Sequence, residues 1–169
     1  MEKSVWTDAD FERMGWHDCP IHAIAFDSDD IKIENNLILS AGSLVFDIDY
    51  IFKWIHPEKE DGCYSFWIAP CTLMFKNVDT VEINLNTGSM IVEEQDIEEI
   101  IWTKEKRERT GYPTYIQNNW KIKLFSGFIG FSAENYIQTV KGKPVLTTAQ
   151  RLTNEERGGI NFNRQPIKL

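Results

Sequence analysis

The segment from residue 44 to residue 54 carries a large apolar side chain at every second position. These residues are Leu44, Phe46, Ile48, Tyr50, Phe52 and Trp54. Successive side chains of a β-strand point to opposite faces, so this spacing predicts a strand rather than a helix. Asp47, Asp49 and Lys53 fall on the other face. The pattern therefore predicts one buried face and one face in contact with solvent.

The same period of two recurs along much of the chain, with turn residues between the apolar runs. The further predicted strands are Ile24 to Phe26, residues 64–68 and 72–75 on either side of Pro70, Val81 to Leu85, and residues 120–124, 128–131 and 136–138. Pro70 predicts an edge, a bulge or a turn, because proline has no N–H to donate to a strand ladder. Val81, Ile83 and Leu85 alternate with polar residues and predict a half-buried strand.

These runs predict a mainly β fold (β-rich α+β) of roughly eight to ten antiparallel strands in a single twisted sandwich or partly open barrel. A short helix is predicted over residues 7–14. Thr7 is the expected N-cap, Asp10 completes a capping box, and Gly15 is expected to end the helix in a left-handed conformation. Phe11 and Met14 are expected to pack across one end of the sheet.

The chain of 169 residues is expected to form a single domain, because 42% of its residues are hydrophobic and no linker is evident. We expect a β-rich core over residues 16–140 and a weakly patterned C-terminal segment over residues 145–169. Within that segment, residues 153–159 are expected to hold one helical turn.

The composition argues against several classes of function. The net charge of −8 repels phosphate backbones, which disfavours nucleic acid as a partner. The N-terminus lacks the basic and apolar regions of a secretory signal, and no apolar run approaches the ~20 residues that span a bilayer. We therefore expect a cytoplasmic protein that is not embedded in a membrane. The chain has no glycine-rich phosphate loop and no nucleophile elbow, so no cofactor is expected.

Cysteine spacing predicts neither a disulfide framework nor a zinc ribbon. The three cysteines, Cys19, Cys63 and Cys71, include no Cys-x-x-Cys pair. We expect reduced thiols, with Cys71 packed as a small apolar residue in the core.

Trp16, His17, Asp18, Cys19 and His22 form the densest group of chemically capable side chains in the sequence. His17, Cys19 and His22 offer the atoms of a zinc site, with His56 or Asp18 as a further ligand, although a regular strand would point His22 away from the other two.

Other interpretations of this corner stay open. Cys19 beside a histidine is a candidate nucleophile, although no orienting motif accompanies it. A His-Asp pair also occurs in metal-dependent phosphohydrolases, but here Pro20 follows the pair at once and only His22 and His56 remain as further imidazoles, which argues against that activity. The simplest interpretation is structural: His17 and Asp18 fasten the corner between helix and strand through hydrogen bonds.

Two further features admit both a functional and a structural interpretation. Asp47 and Asp49 are able to bind a cation, but any strand with one polar face produces the pattern Asp-x-Asp. The apolar residues from Leu44 to Trp54 are able to line a cavity for a small apolar ligand, or they fill a closed core.

Acidic residues cluster at residues 93–99, followed by a net basic run at 104–109. The cluster consists of Glu93, Glu94, Asp96, Glu98 and Glu99. One interpretation is a solvated strand edge. The other is a docking face for a basic protein, because clustered acids steer oppositely charged surfaces and raise association rates.

Three motifs carry a family resemblance over about residues 15–140. They are Trp16-His17-Asp18 before an apolar strand, the run Leu44 to Tyr50, and Leu73 to Asp79. Together they resemble a group of small bacterial β-rich proteins with a Trp-His-Asp motif, some of which are similar to immunity-type proteins of contact-dependent or polymorphic toxin systems. Cys19 departs from the small residue that is more usual there.

The resemblance implies a protein-binding domain that acts without catalysis and masks a toxin. The net charge of −8 and the acidic cluster are compatible with a basic, toxin-like partner. The resemblance implies no catalytic residue. The alternative is a small-molecule or metal-binding β-barrel that uses the corner formed by His17, Cys19 and His22.

Overall fold

The structure is a computed structural model that describes residues 3–28, 32–34, 37–39, 42–59, 62–86, 95–108, 110–111 and 113–168. The strands are β1 (Val5–Thr7), β2 (Cys19–Ser28), β3 (Lys32–Glu34), β4 (Leu37–Leu39), β5 (Gly42–Ile55), β6 (Ser65–Lys76), β7 (Asp79–Leu85), β8 (Asp96–Arg107), β9 (Tyr115–Leu124), β10 (Gly127–Ser132), β11 (Asn135–Val140) and β12 (Val145–Thr147). A 3₁₀ helix covers Asp8–Arg13, and the α-helix α1 covers Asn154–Arg157.

Among the described residues, ten strands form one antiparallel sheet in the order β1-β11-β6-β5-β2-β8-β9-β10-β7, with β12 paired to β6. The remaining two, β3 and β4, pair antiparallel in a separate two-stranded sheet. The sheet turns at β2, whose residues Cys19 and Pro20 pair with β8 while its later residues pair with β5. The predicted mainly β, antiparallel fold is confirmed, and the sheet is open rather than closed into a barrel.

The two halves of this bent sheet pack face to face through aromatic side chains. Phe75 of β6 lies 5.2 Å from Trp120 of β9 and 4.7 Å from Phe131 of β10, measured between ring centroids. Phe11 of the 3₁₀ helix packs against Trp120 at 5.7 Å. As expected, Phe11 and Met14 pack against the core.

Pro70 lies inside the continuous strand β6, not between two strands. On one side it faces Asp49 of β5. On the other side β6 pairs with β12 up to Ile68 and with β11 from Cys71 onward. The missing N–H of Pro70 therefore falls where β6 changes partners, so a central strand accommodates the proline.

The prediction that the polar side of β5 faces solvent is wrong for two of its three polar residues. Asp47 and Asp49 are both 0% exposed, whereas Lys53 is exposed. The C-terminal segment covers this face: Thr72, next to Asp47 on β6, donates a hydrogen bond to the carbonyl of Asn163 (2.7 Å). The sheet is therefore covered on both faces over residues 43–51 of β5, but not at the end of the strand.

The start of the chain departs from the prediction in its details. The helix is a 3₁₀ helix over Asp8–Arg13 rather than residues 7–14, with Thr7 as the predicted N-cap and its N–H donating to Asp10 (3.0 Å). It ends at Met14 in an extended conformation. The left-handed residue of this region is Asp18 (φ 60°), not Gly15.

The predicted helical turn within residues 153–159 is present as α1, and Gly158 follows it in a left-handed conformation (φ 74°). No helix in the part of the chain that the structure describes is both long enough and apolar enough to cross a membrane.

Gly127 allows β7 to approach β10 closely, because a Cβ atom there would lie 2.0 Å from the carbonyl oxygen of Asn84. We predict that Gly127→Ala lowers the free energy of unfolding by about 2 kcal/mol, since strand β7 must shift to relieve the clash. Urea unfolding measures the loss. Gly130→Ala in the same strand is the control, because its Cβ would make only ordinary contacts with Phe128. Equal losses for the two variants would contradict this prediction.

Candidate functional site

The Trp16-His17-Asp18 corner is a tight turn that is tied to the C-terminal segment. The N–H of Cys19 donates to the carbonyl of Trp16 (3.0 Å), and Asp18 takes the left-handed position of the turn. His17 Nδ1 lies 2.9 Å from the carboxylate of Asp18, which also accepts a hydrogen bond from Gln150 (2.8 Å). These contacts support the structural interpretation of this corner.

Cys19 and His22 point away from this turn into separate environments. Cys19 is fully buried, and burial raises the pKa of its thiol, which disfavours the thiolate needed by a nucleophile or metal ligand. A β-bulge between Ile21 and Ala23 directs His22 towards Asp49 (2.8 Å). In the described ranges, no three His, Cys, Asp or Glu side chains are placed to hold a metal ion.

The predicted acidic docking face is only partly at the surface. Asp96 is buried and lies 2.6 Å from Arg151, so it helps to hold the C-terminal segment. Glu98 and Glu99 are exposed, with Glu99 3.0 Å from Lys123. Glu93 and Glu94 lie outside the described residues.

Asp47 is the centre of a buried ionic cluster. Both of its carboxylate oxygens accept hydrogen bonds from Arg157, at 2.7 and 3.1 Å. Lys141 lies 2.5 Å from the same carboxylate, and the backbone N–H of Asn161 donates to it at 2.9 Å. All four of these contacts come from the chain after residue 140, beyond the predicted core.

Asp49 extends the same cluster. It accepts hydrogen bonds from Arg157 Nε (3.3 Å) and from the N–H of Leu152 (2.9 Å), and it contacts His22. Burial opposes its charge, but the hydrogen bond and charge of His22, the Leu152 N–H and Arg157 outweigh burial, so the pKa of Asp49 lies below its usual value.

The two basic side chains of the cluster respond differently to burial. Burial lowers the pKa of Lys141 despite the nearby Asp47 carboxylate. Burial acts in the same direction on Arg157, but Asp47 and Asp49 together raise its pKa above the usual value. Two carboxylates and two basic groups therefore balance inside the protein, and the cluster fastens the C-terminal segment rather than presenting a reactive group to solvent.

A cleft of about 840 Å³ opens between the N-terminal segment and the end of β5. Its aromatic wall comprises Trp6, Tyr50, Phe52 and Trp67, and its basic residues are Lys3, Arg13 and Lys53. Tyr50 and Phe52 belong to the apolar series that we considered as a cavity lining. The earlier residues of that series, Leu44, Phe46 and Ile48, are instead fully buried in the core.

A second β-bulge explains why the basic residue Lys53 was not predicted to border the same cleft as Phe52. The pairing of β5 with β6 shifts between Ile51 and Lys53, which interrupts strict alternation at Phe52. Lys53 and Phe52 can therefore border one cleft, although the period of two assigns them to opposite faces. Arg13 and Trp6 reach it from elements distant in sequence, which leave no local signal.

Strand β7 forms one edge of the main sheet and is exposed at all of its positions. Val81, Ile83 and Leu85 are 37%, 46% and 42% exposed, so the predicted strand is present, but the prediction that it is half-buried is wrong. Ile83 pairs with Ile129, which pairs with the buried Ile122. The apolar layer of the core thus continues onto an exposed edge.

Comparison of the chain with protein-family models, with curated proteins and with solved structures found no match. The site is therefore interpreted from its own geometry.

Removing the guanidinium of Arg157 should destabilise the protein strongly. We predict that Arg157→Met lowers the free energy of unfolding by about 3–5 kcal/mol, because it leaves two buried carboxylates without their shared partner. Arg164→Met is the matched control, since Arg164 pairs with Asp27 at the surface and its loss should cost less than about 1 kcal/mol. Urea unfolding of both variants measures the difference. Similar losses would show that the cluster contributes no more than a surface ion pair.

Proposed function

We propose that this protein acts by binding a basic protein partner along the edge strand β7. The observation that carries the proposal is the exposed apolar row of Val81, Ile83 and Leu85 at the end of an otherwise buried layer. Contiguous exposed apolar surface on a folded protein marks an interaction site more often than isolated apolar residues do.

The backbone of β7 supports the same proposal. Within the described residues, β7 pairs with β10 on one side and has no strand on the other. An edge strand can accept an added strand through main-chain hydrogen bonds, while its side chains select the sequence of that strand. The geometry suits an extended partner segment that places apolar side chains against Val81, Ile83 and Leu85.

Charge favours a basic partner. Asp79 and Glu82 are exposed on β7, and the chain as a whole carries a net charge of −8. Such a surface attracts basic proteins and speeds their association. Masking of a toxin, as the sequence resemblance implies, is one activity of this kind. The acidic residue Glu98 on β8 adds to the attraction without being part of the β7 edge.

The metal-binding alternative at His17, Cys19 and His22 has less support. The three side chains are engaged in separate contacts, to Asp18, to the backbone of Ile51 and to Asp49. We therefore do not place the function at that corner.

A lysine at the centre of β7 should weaken binding while leaving the fold intact, because the side chain of Ile83 is 46% exposed. We predict that Ile83→Lys weakens binding of the basic partner by at least about tenfold, since it removes an apolar contact and adds a like charge. Ile116→Lys on β9 is the control, as Ile116 is also an exposed isoleucine and lies away from β7.

The measurement begins with affinity capture from the native host, using the unmodified protein and both variants. A basic protein retained by the unmodified protein and by Ile116→Lys, but lost with Ile83→Lys, supports the proposal. Titration of that purified protein then gives the dissociation constants. Equal retention by all three proteins, or recovery of no basic protein, contradicts it.

A further inference from the structure

The cleft beside β5 concentrates positive charge on a protein that is acidic overall. Lys3, Arg13 and Lys53 all border it, although the chain has 26 acidic and 18 basic residues. Arg13 and Lys53 are exposed and form no ion pair with another described residue, although the charge of Arg13, after the hydrogen bond of Lys3, contributes to lowering the pKa of Asp10. Lys3 differs, since Asp10 lies 2.5 Å from it and neutralises it.

The aromatic wall of the cleft is held in place by its own contacts. Phe52 lies 4.8 Å from Tyr50 and 5.6 Å from Trp6, measured between ring centroids. The hydroxyl of Tyr50 accepts a hydrogen bond from the N–H of Gly15 (3.4 Å) and donates to the sulfur of Met14 (3.7 Å). Trp67 lies opposite Lys53 in the pairing of β6 with β5. A preformed wall costs little ordering entropy when a ligand binds.

We propose that this cleft binds a small organic anion with a flat aromatic body and a carboxylate or phosphate group. The aromatic body packs against the aromatic wall, mainly at Trp6, Phe52 and Trp67. The anionic group lies near Arg13 and Lys53. The volume of about 840 Å³ is within the range of small-molecule sites, which combine an apolar lining with a few polar groups. This binding is independent of the protein partner proposed for β7.

The positive charge of the cleft favours an anion over a neutral or cationic ligand. An aromatic wall alone would accept a neutral aromatic molecule, or a cation through the faces of its rings. Arg13 and Lys53 repel a cation and give a neutral molecule no advantage, whereas both attract an anion. Selectivity for the anion over a neutral molecule of the same shape is therefore the property to test.

Two fluorescent probes share a ring system and differ in charge. 1-Anilinonaphthalene-8-sulfonate is an anion, and N-phenyl-1-naphthylamine is its neutral counterpart. We expect the double variant Arg13→Gln, Lys53→Gln to bind the anion about tenfold more weakly, and the neutral probe within about twofold of the unmodified protein. The control Lys106→Gln, Arg107→Gln removes the same charge from the exposed end of β8 and should change neither affinity.

A variant with the opposite expected sign adds a second test. Asp10→Asn removes the charge that neutralises Lys3 but keeps an oxygen that can accept from Thr7, so it should tighten binding of the anionic probe. Weaker or unchanged binding in Asp10→Asn would overturn the assignment of charge in the cleft. Near-ultraviolet circular dichroism of each variant checks that the probe reports on the folded protein.

The aromatic wall has a matched pair of tryptophans. Trp67 lines the cleft and is 38% exposed, whereas Trp54 is 40% exposed and packs against Phe66 and Tyr64 instead. Trp67→Leu should weaken both probes, and Trp54→Leu should weaken neither. Equal effects of the two substitutions would place the probe outside the cleft.

Competition identifies the anionic group. 2-Naphthoate and 2-naphthyl phosphate are added separately to the protein with bound anionic probe. Displacement by either supports the proposal, and the stronger competitor identifies the preferred group. Displacement by neither compound overturns the proposal, as does an equal loss of both probes in the Arg13 and Lys53 double variant.

Discussion

Asp47 and Asp49, in the middle of β5, hold the C-terminal segment against the second face of the sheet. Arg157 donates to both carboxylates, Lys141 contacts Asp47, and backbone N–H groups of the segment donate to each. A carboxylate buried without partners would destabilise the fold by several kcal/mol. The sheet and the C-terminal segment therefore require one another. The same segment also contacts the His17–Asp18 corner, where Gln150 donates a hydrogen bond to Asp18.

The sequence predicted the strands well because alternation is a local property of neighbouring residues. The segment from Leu44 to Trp54 lies within β5, and the capped turn near Thr153 is α1. What covers each face is not local. Asp47 and Asp49 alternate with apolar residues as they would on a solvent-facing strand, and their partner Arg157 lies more than a hundred residues later. In the same way, the pattern of Val81 to Leu85 predicts a strand, but it does not show that the rest of the fold leaves this strand exposed.

The candidate sites were the hardest to predict, because they depend on bulges and on distant segments. The bulge at His22 directs its ring to Asp49, and the shift after Ile51 brings Phe52 and Lys53 to one cleft. The two proposed binding sites also differ in charge. The edge strand β7 carries exposed acidic residues, whereas the cleft beside Trp6 is bordered by basic residues, which is why we propose occupants of opposite charge for the two sites.

Hydrogen exchange at the backbone N–H groups of Leu152 and Asn161 tests the central role of the buried carboxylates most directly. These two groups donate to Asp49 and Asp47, and they lie in a segment with little regular secondary structure of its own. The account predicts that both exchange as slowly as the N–H groups in the middle of β5, because their exposure requires the cluster to open. Exchange at the rate of an unstructured peptide, while β5 stays protected, would contradict it.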